Sequence, residues 1–294
     1  MTVDSTAASL VAWVEGIGVR GPGLDGWPAT RDVLAGRVPY EIDPTRLVAP
    51  PLLPPAERRR VGKGVKVALE VGFAAVAHSG RDAATLASVF TSSSGDGDNC
   101  DAICRALATD RLISPTRFHN SVHNAPSGYW GIAAHAMAPS TSLCAFDASL
   151  AAGLMDATTQ LACGADAVLL VAYDAPYPEP LHTVRSTPDA FGVALVLVRE
   201  PSAASIARIE IAVSSAATSS TRMQDAALEA CRAAIPAARA LPLLAAIALA
   251  LDGACAATVH QVVIEDVNDT RLNMIVRCVE ATARPSIKEN IRCA

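Results

Sequence analysis

Apolar and polar positions along this chain alternate between two periods. Unbroken or alternating apolar runs read as strands, and apolar faces at helical spacing read as helices. Ser9–Gly18 (SLVAWVEGIG) alternates and ends in glycine, so a first strand is expected there. Pro and Gly punctuate Gly21–Pro28, and Pro28–Leu34 reads as a short helix. Pro39–Pro55 is Pro-rich and reads as an irregular surface loop. Pro54-Pro55 then opens a long helix, expected to run to about Ala77, apolar on one side and basic on the other (Arg58, Arg59, Arg60, Lys63, Lys66).

Leu86–Thr91 is the next strand, with Asp98 or Asn99 placed to cap the helix after it. Pro139–Phe146 reads as a strand and Ala148 to about Cys163 as a helix. Ala167–Asp174 (AVLLVAYD) is an unbroken apolar run, the pattern of a central strand covered on both faces. Strands are expected again at Phe191–Arg199, Ile206–Val213, Thr258–Ile264 and Arg271–Val279. Helices are expected at about Gln224–Arg239 and Pro242–Leu251, and the tail after Arg284 reads as unstructured. Strands alternating with helices of about ten or more residues predict an α/β fold with a sheet buried on both faces.

Composition narrows the function classes. With 294 residues, 51% hydrophobic and 18% charged, the chain can bury a sizeable core. Its net charge is −5 and it carries no basic tract, which argues against nucleic acid and anionic membrane as partners. The most apolar stretch, Leu241–Leu251, is far shorter than the about 20 residues a membrane span needs. The basic face at Arg58–Lys66 reads as solvated in preference to a carrier-protein docking patch. Of the eight cysteines, Cys100 and Cys104 are the one helically spaced pair, and no second pair stands near to complete a metal site. The start MTVDSTAASL has no basic region and no long apolar core, so the expected location is cytoplasmic, with free thiols.

Two segments could carry chemistry. The turn Ser92–Asp98 follows a strand but brings Asp96 and Asp98 and no lysine, so it reads as a plain strand–helix turn and not a phosphate cradle. Ser114–Ser149 (SPTRFHNSVHNAPSGYWGIAAHAMAPSTSLCAFDAS) is the richer one. It predicts a helix, a strand, a sharp turn and a second helix, the arrangement that presents a nucleophile at a helix N-terminus.

This stretch resembles the ketosynthase segment that runs from a Ser-Pro pair through Asn-x-x-x-Gly to the acylated cysteine. Ser114-Pro115, Asn124, Gly128 and Pro139 fall into that pattern without a gap. The loop Ser94–Asn99 and the run Ser114–Trp130 resemble more closely the chain length factors of aryl-polyene-type pathways. The resemblance spans about Leu10 to Leu251. It implies a thiolase-like, layered α/β/α fold with an abbreviated C-terminal half. Residues 1–284 would form a single ketosynthase-like domain, divided into 1–180 and a shortened 181–284, with 285–294 as a tail.

The chain departs from the family at the chemistry. The cysteine position falls on Asp147, preceded by Phe146. A carboxylate is no useful substitute, because attack on a thioester would leave a mixed anhydride. Asp147 is expected to cap the helix after it. The family's two catalytic histidines belong to its C-terminal half, yet after Asp174 this chain has His182 and His260, neither in such a motif. The resemblance therefore implies a non-catalytic subunit paired with an active ketosynthase in polyketide, polyene or fatty-acid-type biosynthesis. Acyl carrier protein would be met through the complex, with no cofactor and no metal. Arg117, Phe118, His119, Phe146 and Asp147 would shape the partner's acyl tunnel. Ser140, Thr141, Ser142, Leu143 and Cys144 would lie at the dimer interface. Two rivals stay open: an acyltransferase or thioester hydrolase using Ser149, Cys144 or one of His119, His123 and His135, and a stand-alone acyl-binding scaffold.

Overall fold

The structure is a computed structural model that describes residues 9–214, 218–252, 258–267 and 270–279. The tail expected after Arg284 lies outside the described residues, as do Cys255 and Cys293. The elements are β1 (Leu10–Gly21), β2 (Leu24–Asp25), α1 (Gly26–Leu34), α2 (Pro55–Arg58), α3 (Lys63–Ser79), β3 (Ala87–Thr91), α4 (Gly97–Ala108), α5 (Pro115–Ser121), α6 (Ala125–Ala134) and β4 (Ser140–Leu143). There follow α7 (Ser149–Ala162), β5 (Ala167–Asp174), α8 (Leu181–Val184), β6 (Phe191–Val198), β7 (Ala207–Ser214), α9 (Ala226–Ala234), α10 (Leu241–Asp252), β8 (Val259–Glu265) and β9 (Arg271–Cys278).

The strands form one mixed sheet in the order β4-β3-β5-β6-β1-β7-β9-β8, with β2 paired to β1. β4, β3 and β5 are parallel, as expected where strands are joined through helices. β5 shows why its sequence is apolar throughout. Leu169, Val171 and Tyr173 pack with α3 on one face, and Val168, Leu170 and Ala172 pack with α7 on the other. Helices thus cover both faces, and the layered α/β/α architecture agrees with the expectation. α3 crosses β1 very closely: a Cβ on Gly18 would lie 2.0 Å from the Val71 carbonyl oxygen, so only glycine fits.

β6 follows residue 180 in the chain yet inserts between β5 and β1. β1 in turn pairs with β6 over Trp13–Arg20 and with β7 over Leu10–Val14. One continuous sheet therefore joins the two sequence halves.

Several elements differ from the sequence reading. The helix expected from Pro55 to Ala77 is two, α2 and α3, separated at residues 59–62. The break is stabilised by tertiary contacts: Val61 is buried, and the Asn120 amide donates to the Arg60 carbonyl at 2.9 Å. Gly62, in extended conformation, then starts α3. The helix expected at Gln224–Arg239 is also divided: α9 ends before Pro236, and Pro236–Ala240 forms a 3₁₀ turn. α4 is capped by Asp96, whose carboxylate accepts from Asn99 N at 3.0 Å, and not by Asp98 or Asn99. β4 is only four residues long, and α5 and α8 are short helices that no periodicity announced.

Candidate functional site

The turn from β4 to α7 carries the candidate site. Pairing to β3 ends at Leu143, and residues 144–148 make a tight reversal closed by Ala148 N to Ala145 O and Ser149 N to Phe146 O. Phe146 adopts φ 51°, a left-handed conformation rare for a bulky residue. Ser149 locks the turn: its Oγ donates to the Phe146 carbonyl at 2.6 Å and accepts from Ala145 N at 2.9 Å. It is also 2% exposed, so its proton is committed to the turn and its access from solvent is closed.

Asp147 does not cap α7. Ala148 is the N-cap residue, and no side chain bonds to the first turn. The Asp147 carboxylate faces two arginines instead. Arg185 Nη2 donates to Oδ1 at 2.6 Å. Arg239 donates Nη2 to Oδ2 at 3.2 Å and Nη1 to the Asp147 carbonyl at 2.9 Å. Charge-assisted pairing on both carboxylate oxygens satisfies them better than helix N–H groups could. The Arg185 guanidinium also lies over the Phe146 ring, 3.9 Å from its centroid.

A buried carboxylate anchors the far side. Asp174, at the end of β5, accepts from Ser92 Oγ, Ser93 N, Ser93 Oγ and, at 2.8 Å, from Ala237 N. Burial pushes its pKa up, and the donors from Ser93, Ala237 and Ser92 oppose that shift. The network fastens the 3₁₀ turn bearing Arg239 to the loop after β3. Cys144 meets the same loop: its Sγ donates to the Ser93 carbonyl at 3.5 Å, and the residue is exposed.

No histidine contacts Asp147 among the described residues. His123 Nε2 lies 3.1 Å from the Ser92 carbonyl, and His182 is near Ser186 Oγ at 3.5 Å. His135 closes α6 in a left-handed conformation, and His260 lies in β8 at the far end of the sheet. Arg117, Phe118 and His119 all lie exposed on α5, with Ser114 capping that helix. The His119 ring stands edge-on to Tyr129 at 6.1 Å. No hydrogen bond, ion pair or ring contact joins this trio to Phe146 or Asp147 among the described residues. α5 packs on α4 and α6, and α6 packs on β4, so α6 lies between the trio and the strand that leads into the turn.

β4 is an edge strand among the described residues: Ser140, Thr141, Ser142 and Leu143 pair with β3 on one side and with no described strand on the other. Exposed apolar side chains stand beside it: Ile132 on α6, which packs on β4, Phe146 just past the strand, and Met137 just before it, the last 96% exposed. The basic residues near α2 and α3 are partly neutralised: Arg60 lies 3.4 Å from Glu57 and Lys63 3.0 Å from Asp98. Among the described residues no group of three His, Cys, Asp or Glu side chains is arranged to hold a metal, and no helix is long and apolar enough to cross a membrane.

Against known proteins, the sequence matches the family described as beta-ketoacyl synthase, N-terminal domain, over residues 35–248. The chain belongs to that family. Its fold is shared by a ketosynthase in complex with its chain length factor from Xenorhabdus doucetiae, at 23% identity and TM-score 0.67, covering 90% of this chain and 99% of that one. The ishigamide ketosynthase/chain length factor is similar at 14% identity and TM-score 0.66, covering 92% and 100%. A type II ketosynthase solved with its acyl carrier protein is similar at 11% identity and TM-score 0.68, covering 92% and 100%. No curated protein matches the sequence.

Arg185 and Arg239 are the site residues that sequence reasoning missed. They lie 38 and 92 positions from Asp147, and neither sits in a motif. The only sequence-level signal was the lone carboxylate at the turn, which calls for a cationic partner without saying which.

Proposed function

We propose that this chain is the non-catalytic, chain-length-factor subunit of a cytoplasmic heterodimer with an active ketosynthase. The partner performs decarboxylative condensation on malonyl-carrier protein, and this chain shapes the tunnel that receives the growing acyl chain. The observation that carries the reading is the turn after β4. By the resemblance to the ketosynthase pattern the thiol position falls on Asp147, and there the carboxylate is held by two guanidiniums. An ion-paired carboxylate with no histidine beside it is a poor nucleophile and no general base toward malonyl. The neighbouring rivals are weakened as well: the Ser149 hydroxyl is committed to the turn, and Cys144 has no base among its hydrogen-bond partners.

The association surface follows from β4. An unpaired edge with apolar side chains around it is unfavourable in water and favourable against a partner strand and its neighbouring helices. Pairing across Ser140–Cys144 would bring Phe146 and the α5 trio toward the partner, where bulk limits chain growth by sterics. Polyketide, polyene and fatty-acid-type products all fit this role.

The test is to assay malonyl-carrier condensation with the chain alone, the ketosynthase alone and the pair. The expected outcome is activity of the pair and none of the lone chain. Thioester turnover by the purified lone chain overturns the reading and makes Ser149 and Cys144 the next residues to substitute.

A further inference from the structure

Phe146 holds an uncommon conformation without being buried. Its φ is 51°, yet its side chain is largely open, with the residue 60% exposed. A bulky residue keeps such a backbone only where its surroundings over-determine it. The backbone is fixed by Ser149, which accepts from Ala145 N and donates to the Phe146 carbonyl. That leaves the ring, which could otherwise swing between rotamers. The group placed to stop it is the Arg185 guanidinium, stacked 3.9 Å from the ring centroid. The same guanidinium is pinned by Asp147 Oδ1 at 2.6 Å, and Asp147 is pinned from its other oxygen by Arg239.

A guanidinium suits this double task. It is planar, so it can lie on a ring while one edge meets a carboxylate; an ammonium is a compact, strongly hydrated point charge. Arg185 is also mostly shielded, with its side chain 23% exposed, so its pairing is less screened than that of an open surface ion pair. Ring, guanidinium, carboxylate and second guanidinium form one chain of contacts, two of whose members come from the second sequence half.

We infer that Arg185 is a positioning residue which, clamped by Asp147, sets the angle of the Phe146 ring and thereby the length of the product. The inference rests on the tunnel-wall reading of Phe146 given above. It adds a residue outside the tunnel wall that governs how the wall stands, and it gives the Asp147 carboxylate a purpose beyond replacing a thiol. Without Arg185 the ring is free to turn aside, and the wall recedes as it would if the ring were deleted.

The test uses the assembled heterodimer and reads the carrier-bound chain-length distribution by mass spectrometry. Phe146→Ala is expected to shift the longest product up by one two-carbon unit. Arg185→Leu is expected to reproduce that distribution, with Arg185→Lys intermediate because it keeps the ion pair and loses the planar stack. Size-exclusion elution of each pair shows that assembly is retained. Should Arg185→Leu fail to assemble, Arg185→Lys and Arg185→Gln carry the comparison, both expected between wild type and Phe146→Ala. A wild-type distribution in the Arg185 variants beside a shifted one in Phe146→Ala overturns the positioning role and leaves the tunnel-wall reading standing. A wild-type distribution in Phe146→Ala overturns the tunnel-wall reading itself.

Discussion

Asp147 stands where two guanidiniums converge on one carboxylate. Arg185 pairs with its Oδ1 and Arg239 with its Oδ2, just before the start of α7. A thiol placed there would be pushed toward its thiolate by the same charges, since cationic neighbours and helix N-termini lower cysteine pKa. The Asp147→Cys variant should therefore react with iodoacetamide with a pH midpoint below the about 8.5 of a free thiol. Adding Arg185→Leu should move that midpoint back up. The lone variant should still not condense malonyl-carrier substrate, because no histidine stands ready to assist decarboxylation. A midpoint at or above the free-thiol value would show that the two arginines do not act on this position. The resemblance singles out Asp147 through an ordered run of motif residues, Ser114-Pro115, Asn124, Gly128 and Pro139. Sequence reasoning assigned Asp147 a capping role because capping is a local rule, and the true partners are distant in sequence and set by the fold.

Among elements, those whose stability is local or whose burial is complete were legible, and those made by tertiary contact were not. β5 and β6 bury every residue but one, so their apolar runs announce them. α5 is seven residues long, below the length at which a helix holds itself together in water. It is secured by neighbours: Asn120 donates to the Arg60 carbonyl and accepts from the Tyr129 hydroxyl at 2.8 Å. The same contact to Arg60 lies at the break between α2 and α3, which the amphipathic pattern ran straight through. β4 is the element on which assembly turns. Pro139 and Leu143 direct their carbonyls to β3, so the alternating residues Ser140 and Ser142 direct their backbone N–H groups outward. Proline at 142 removes an outward donor and leaves the β3 ladder intact. Ser142→Pro is expected to weaken heterodimer affinity by about tenfold, the cost of roughly one net hydrogen bond, with the thermal melt of the lone chain little changed. Analytical ultracentrifugation of the pair measures it, and unchanged affinity would place the interface elsewhere.

For the molecule as a whole, the sheet order makes the two sequence halves interdependent. β6, from the second half, fills the space between β5 and β1, and β1 is bonded to β6 and β7 along successive stretches. One core cluster runs from α1 and α7 to α10, β8 and β9. A lesion confined to the second half should therefore lower the stability of the first. Glu229 on α9 provides one. Its carboxylate accepts from Arg232 Nε at 2.8 Å, Arg232 Nη2 at 2.9 Å and Met223 N at 2.9 Å. Chiefly through the Arg232 hydrogen bonds, with burial opposing, its pKa falls from 4.5 to about 2. A depressed carboxylate stabilises the fold above its unfolded pKa and loses that contribution as pH falls through the folded value. Glu229→Gln should thus cost about 1–2 kcal/mol at neutral pH, allowing for solvent screening of this partly exposed group. The gap from wild type should narrow as pH drops from 4.5 toward 2. Groups that titrate equally in both proteins, buried Asp174 included, cancel from that difference. All three tryptophans, Trp13, Trp27 and Trp130, belong to the first half, so their fluorescence reports the packing around that half's side chains, while circular dichroism reports the backbone of both. If the halves unfold together, Glu229→Gln moves the urea midpoints of both signals by the same amount. If the dichroism moves early and the fluorescence stays, the second half unfolds by itself, and the interleaved sheet does not confer the cooperativity its order implies.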